Sequence, residues 1–417
     1  MKSDGWASVT RWLVLALLGA GGSAALSAER SAEQKLDLSL RTRLFGARSF
    51  LPADDLIRSG DATPRDQVSA DLRVTGAGRR GGVDFEVAAE FEAVYDTAGQ
   101  AFGADRRLLD LGQQQSLGAD TGSSERLDRL WFGADLGAWR LTVGRQAASF
   151  GGGLVFQPMD LFNPFSPVEI DRDFKTGDDM LVLTRPFDDG TEVSGFMVAR
   201  RGNGSGLDAD AGSGALRYRG FVGALSAELM LGVHLADPLA AISLSGPVGT
   251  ALWRADLVAQ QVDGTTRLSG VANLDWSFVA AGHNVYVFAE YYHNGFGLQH
   301  PSLAGLQAKP DLRRRVKRGE VFVLGRDYLA LGASLEWHPL VTQSLLIVHE
   351  FADASHLLQT TFDWRPGDTS IWQLSLVAPL GDRGEEFGRL LAGVAADASP
   401  LTAGGGERLL VRWSLYF

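Results

Sequence analysis

The sequence predicts an all-β chain folded as a transmembrane, antiparallel, up-and-down β-barrel of about 18 strands, with about 16 as the smaller even alternative. Three observations carry the prediction. Segments about ten residues long alternate large apolar and polar side chains. The links between successive segments are short and long by turns. Trp falls on the apolar parity of its segment and near one kind of link. No long stretch keeps a helical period.

The start of the chain sets the compartment. "RWLVLALLGAGGSAALSAER" (Arg11 to Arg30) has a charged flank, an apolar stretch and then small residues, the layout of a secretory signal peptide. Cleavage is expected after Ala25 or Ala28, and Ala28 is favoured, dividing the chain into a signal, residues 1–28, and one barrel domain, residues 29–417. The apolar stretch is too short to span a membrane as a helix, and no other run of about 18 apolar residues occurs. There is no Cys, so an exported chain must hold its fold without disulfides. A content of 45% hydrophobic residues with 51 Gly is that of an ordered, turn-rich chain. The net charge is −11. An acidic balance with dispersed charges argues against nucleic acid as a partner.

The alternation begins at residues 36–45. Leu36, Leu38, Leu40, Thr42 and Leu44 share one face there, and Asp37, Ser39, Arg41 and Arg43 the other. Residues 83–94 set their apolar face against Asp84, Glu86, Glu90 and Glu92. Clear alternation recurs at 127–136, 138–146, 224–234, 250–260, 265–278, 283–293, 326–337, 355–364 and 369–379. It is weaker at 67–75, 179–187, 191–200, 214–222, 239–246 and 341–350, and strong again at 407–417. A strand between lipid and water needs this pattern, because its two faces meet different solvents.

The links support the same topology. One alternate set is short: 76–82, 137, 188–190, 223, 247–249, 280–282, 338–340 and 365–368. It uses Gly, Pro and Asp, as tight hairpins do. The other set is often long: 46–66, 96–126, 147–178, 201–213, 294–325 and 380–406. Membrane barrels have short turns on the periplasmic side and long loops outside, so both termini are expected to be periplasmic. Seven Trp test this independently. Trp139, Trp253, Trp276, Trp337, Trp364, Trp372 and Trp413 all lie on the apolar parity, at or near the periplasmic end, where an interfacial girdle belongs.

Motifs for enzyme chemistry are nearly absent: no G-x-S-x-G, no H-E-x-x-H and no P-loop. "GNGSG" (Gly202 to Gly206) lies between strands and reads as a loop. The 7 His are dispersed without metal spacing. His293, Asn294, Ser355 and His356 stand near strand ends, but nothing orders them into a nucleophile and base. No cofactor is expected, and the chain is read as not an enzyme.

Two features point to a role. Residues 147–178 form the third external loop, apolar and Pro-rich in the middle and then charged, with Asp160, Glu169, Asp171, Asp173 and Lys175. A loop this apolar needs something to be buried against. The second is charge on the polar parity. Arg41, Arg43, Arg73 and Arg412 form a basic arc, because the last strand neighbours the first, with Arg217 and Arg219 elsewhere. Asp84, Glu86 and Glu90 form an acidic wall, expected to oppose the arc across a wet lumen.

The final "LLVRWSLYF", with Leu409, Val411, Trp413, Leu415 and Phe417 on one parity, resembles the C-terminal signature of Gram-negative outer-membrane barrels. That likeness implies recognition of Phe417 by the barrel-insertion machinery. "GRQ" at a strand end followed by "PMDLFNP" resembles the corresponding region of porin-like families related to alginate-export barrels, which have 18 strands. The third loop resembles the porin loop that folds inward and narrows the channel. The expected function is then passive diffusion of small hydrophilic solutes through the outer membrane, constricted by loop 147–178. A channel for an anionic polysaccharide is the alternative, and a barrel enzyme or a structural barrel the next.

Overall fold

The structure is a computed structural model that describes residues 36–56, 64–99, 105–162, 174–202, 206–394 and 400–417. The expected signal, residues 1–28, lies outside the described residues. Eighteen antiparallel strands close into one barrel. They are β1 Leu36–Phe50, β2 Arg65–Arg80, β3 Val83–Asp96, β4 Thr121–Leu136, β5 Trp139–Gln146 and β6 Asp178–Pro186. β7 Glu192–Val198, β8 Ser213–Val222, β9 Leu225–His234, β10 Asp237–Val248, β11 Ala251–Val262 and β12 Thr265–Ala280 follow. The last are β13 His283–His293, β14 Asp327–His338, β15 Val341–Glu350, β16 His356–Gly367, β17 Ser370–Leu380 and β18 Glu407–Tyr416. Each pairs with its chain neighbours, and β18 also pairs with β1 from Arg41 opposite Tyr416 to Phe50 opposite Glu407. Phe417 extends the seam by exchanging two backbone hydrogen bonds with Leu40, of 2.8 and 2.9 Å. Closure leaves the 18-stranded wall without an edge strand, which a membrane requires.

Side-chain exposure follows the alternation. Outward positions carry exposed apolar residues along every part of the wall, among them Leu44, Phe132, Leu231, Leu257, Leu331 and Leu374. The opposite parity is buried and largely charged or polar. All seven Trp named above stand near the short turns. Trp372 stacks on Trp413 across β17 and β18 with ring centres 5.3 Å apart, and Trp337 Nε1 donates to Gln343 at 3.0 Å. The shortest turns, such as Ala281–Gly282, carry two positive φ angles, 50° and 82°, as the right-handed strand twist demands of a two-residue hairpin.

The strands run further than the alternation suggests. β1 continues to Phe50 and β4 begins at Thr121, inside the loop expected at 96–126. Several elements escaped the period-2 reading. A short strand, Gly112–Ser116, pairs with the outer end of β4 above the point where β5 leaves the wall. A hairpin of Leu390–Val394 and Pro400–Ala403 sits in the last long link. Two helices, α1 Leu303–Ala308 and α2 Pro310–Arg318, occupy the link between β13 and β14. α2 starts with Pro and stops at Gly319, whose φ of 71° is the left-handed cap that glycine adopts without steric cost. No helix among the described residues is long and apolar enough to cross a membrane.

Candidate functional site: the charged wall and the segment bound to it

Consecutive strands β1 to β4 build a charged inner wall. Their register aligns Arg41, Arg73, Glu90 and Arg126 in one rung. Arg43, Asp71, Glu92 and Ser124 form the next. The groups are paired within the wall. Arg41 Nη2 donates to Asp71 at 2.8 Å, and Arg43 donates to the other oxygen of the same carboxylate. Arg41 and Arg73 lie 3.7 and 4.0 Å from Glu90, which also accepts from Arg126 Nη2 at 2.6 Å. Asp128 is the extra residue where the β3–β4 register shifts, a bulge that brings Asp128 and Arg129 to the wall together. It accepts from Arg73 and Arg129, both at 2.7 Å.

This corrects the expected opposition of basic and acidic walls. Arg73 and Glu90 are partners across the β2–β3 hairpin, so the two signs stand side by side. Pairing within a wall gives short local dipoles rather than one field across the lumen. It also answers the cost of burying charge, since Asp71, Glu90 and Asp128 each have a guanidinium in reach. Asp84 and Glu86 lie toward the short-turn end. Asp84 is bound by Arg140 Nη2 at 2.5 Å, and Glu86 accepts from Trp131 Nε1 at 2.9 Å. Arg412 faces Phe45 on β1 and Gln373 on β17, one rung outward of Arg43. Arg217 and Arg219 stand far round the barrel on β8, both directed at Glu192, at 2.6 and 4.0 Å. The Arg217 guanidinium also lies 5.6 and 5.2 Å from the rings of Phe150 and Phe196.

The segment after β5 is held by inward-facing side chains. Gly152 N–H donates to Asp256 on β11 at 2.8 Å. The Glu290 carboxylate on β13, fully buried, accepts from the N–H groups of Leu154, Val155 and Phe156 at 2.5, 3.0 and 2.7 Å, and from Asn273 at 3.1 Å. Phe156 stacks on Tyr292 with ring centres 4.4 Å apart. Phe150, Met159, Leu161 and Phe162 pack with Met180, Val198, Ala215, Met230, Leu239 and Val258. The apolar middle of the segment therefore has the burial that its composition demands. At its other end, the Lys175 carbonyl accepts from Arg129 at 2.7 Å and Gly177 N–H donates to Asp128 at 3.0 Å. Phe174 sits between Arg41 and Arg73, 4.9 and 4.6 Å from their guanidinium carbons.

Asp160 and Lys175 pair with each other, so Asp160 does not face the arginines; an aromatic ring does. Asp160 is buried, and burial pushes its carboxyl up to about 6 against the pull of Lys175. Glu169, Asp171 and Asp173 lie outside the described residues. Alternation alone did not single out Asp71, Arg126, Asp128, Asp256 or Glu290. Asp71 shared its parity with Arg73, which was a usable signal. Asp128 was hidden by the bulge, and Glu290 looked like one acid among the aromatic residues of "VYVFAEYYH".

The link between β13 and β14 covers the outer end of β9 to β12. Leu312 of α2 packs on Val262, Phe296 and Val321. Arg315 is held by Glu320 and Asp237 at 2.8 and 3.1 Å over the ring of Phe296. Ser213 and His234 are 2.9 Å apart, and His234 is 3.4 Å from Glu320. This Ser–His–Glu row is sealed, with Ser213 7% and His234 1% exposed, and it tethers the link to the wall. Of the strand-end residues considered for catalysis, Ser355 donates to Asp353 at 2.6 Å and Asn294 to the Gly325 carbonyl at 3.1 Å. Neither meets a histidine base.

No protein-family model and no curated protein matches the chain. Solved structures do. OccAB1 of Acinetobacter baumannii is 10% identical with a TM-score of 0.54, over 92% of this chain and 96% of that one. OccK5 (OpdH) of Pseudomonas aeruginosa is 12% identical with a TM-score of 0.52, over 92% and 98%. OccAB4 of A. baumannii is 12% identical with a TM-score of 0.50, over 93% and 100%. The likeness is one of fold, that of a closed antiparallel β-barrel.

Proposed function

We propose that the protein is a channel for passive diffusion of small hydrophilic solutes across the outer membrane of a Gram-negative cell, narrowed by the segment between β5 and β6. One observation carries the reading. The segment is bound to β11 and β13 through Asp256 and Glu290, and to β4 through Asp128 and Arg129. β5 and β13 stand on well-separated parts of an 18-stranded ring, so residues 147–156 reach across the lumen from one to the other. Barrels of this strand number enclose an aqueous space. An apolar outer face and a charged inner face suit lipid outside and water within. The paired wall favours small solutes over a polyanion, because the arginines already have carboxylate partners and form no free basic track. Among the described residues, the Ser213–His234 pair is sealed and Ser355 is bonded to Asp353, which favours the channel over a hydrolase.

Conductance of the purified protein in a planar bilayer tests this. Stepwise channel insertions, enlarged when residues 157–174 are replaced by a short Gly–Ser linker, support the reading. A barrel that inserts but never conducts refutes it. Recognition of Phe417 during insertion is part of the same proposal. Deleting Phe417 removes its exchange with Leu40 and should lower the amount of heat-modifiable barrel in the membrane, and unchanged levels would count against that role.

A further inference from the structure

His349 and His356 are directly opposed at the external end of β15 and β16. Glu350 N–H donates to the Ser355 carbonyl at 3.0 Å, so the neighbouring 349/356 pair is the non-hydrogen-bonded kind, in which side chains approach most closely. The two Nδ1 atoms are 3.1 Å apart. Both residues share the outward parity of Leu345 and Phe362, which are exposed. Phe351 closes one side, its ring edge-on to His349 at 5.0 Å. The pair has no role in the channel described above.

We propose that this pair is a binding site for one divalent transition-metal ion, of the zinc, copper or nickel class, on the outer face of the barrel at its external rim. Two Nδ1 atoms at this separation cannot both carry a proton, so at least one lone pair is presented to the gap between the rings. A metal bonded to both at about 2.0–2.1 Å would subtend an N–metal–N angle of about 95–100°. That is a normal angle between adjacent ligands, and little movement of either ring is needed. Imidazole nitrogen suits these ions and not magnesium or calcium. Among the described residues no group of three or more metal-ligating side chains gathers, so the protein supplies two ligands and solvent the others. Such a site binds more weakly than a closed tetrahedral one and exchanges its ion readily. It also ties β15 to β16 across the external turn at 351–355, a small clamp on the barrel rim.

The test uses the full-length barrel purified in detergent, in a buffer free of chelating groups. Zinc titrated calorimetrically at pH 7.5 should bind at one site. His349→Ala and His356→Ala should each weaken binding at least tenfold, while His300→Ala and His338→Ala should not. Copper added to the protein should give an electron paramagnetic resonance spectrum with two coordinated nitrogens, reduced to one in either variant. Unchanged heat-modifiable migration confirms that the variants are folded, and His349→Gln and His356→Gln serve if the alanine variants are not. Zinc affinity unchanged in both His349 and His356 variants, or a copper spectrum without a nitrogen pair, overturns the proposal.

Discussion

Glu290 is the residue on which the position of the crossing segment depends, and Glu290→Ala tests that dependence. The substitution leaves the N–H groups of Leu154, half-buried, and of Val155 and Phe156, buried, without an acceptor. Hydrogen bonds to a charged group contribute about 1.5–3 kcal/mol each, so three amount to roughly 5–9 kcal/mol. Removing the carboxylate also relieves the cost of burying its charge, which is several kcal/mol. The difference is on the order of 2–4 kcal/mol lost from attachment of the segment, while the strand pairs of β13 are untouched. A loss of that size raises the detached population by about 30- to 1,000-fold, at 1.4 kcal/mol per factor of ten. Two measurements read it. Single-channel conductance should rise and become noisy, and a thiol placed by Gln157→Cys should react faster with a maleimide in the variant. The native chain has no Cys, so the label reports one position. Wild-type conductance together with an unchanged labelling rate would show that Glu290 does not hold the segment.

Replacing Arg41 and Arg43 together by Gln leaves the buried Asp71 without its two partners; reversal potentials under a salt gradient should move toward cation selectivity, and a move toward anions would contradict the pairing described. Asp160 makes a pH-dependent contribution with a definite sign. Its carboxyl is raised to about 6 from an ordinary 3.8, so it takes up a proton as pH falls through about 6, leaving Lys175 positive and uncompensated. Anion selectivity should therefore increase between pH 7 and 5, and Asp160→Asn should abolish that change; a pH response that survives the substitution assigns it elsewhere. Topology is tested with epitope tags: insertions after Gly118 or Gly384 should be reached by antibody on intact cells and one after Gly223 should not, the reverse pattern inverting the barrel.

The local solvent contrast made much of this protein legible in its sequence. A strand between lipid and water must alternate, so residues 36–45 or 407–417 declare both their conformation and their two faces without any distant partner. Alternation, loop length and Trp position therefore pointed to a barrel of about 18 strands and to its up-and-down course, and closure of the ring in the structure settled the number at 18. They also placed Arg41, Arg43, Arg73 and Glu90 on the inward parity. What they could not determine is who meets whom. Arg73 bonds Asp128 only because a bulge shifts the β3–β4 register by one residue, and no period-2 pattern contains a bulge. Glu290 takes its meaning from Leu154 to Phe156, more than 130 residues earlier, once the barrel has closed. The segment 151–162 carries apolar side chains that state a need for burial and not its location. Pairing, register and closure are non-local, set by the whole ring of strands at once. They alone decided that the charges neutralise one another within the wall and that an aromatic ring, Phe174, is what the segment sets against the arginines.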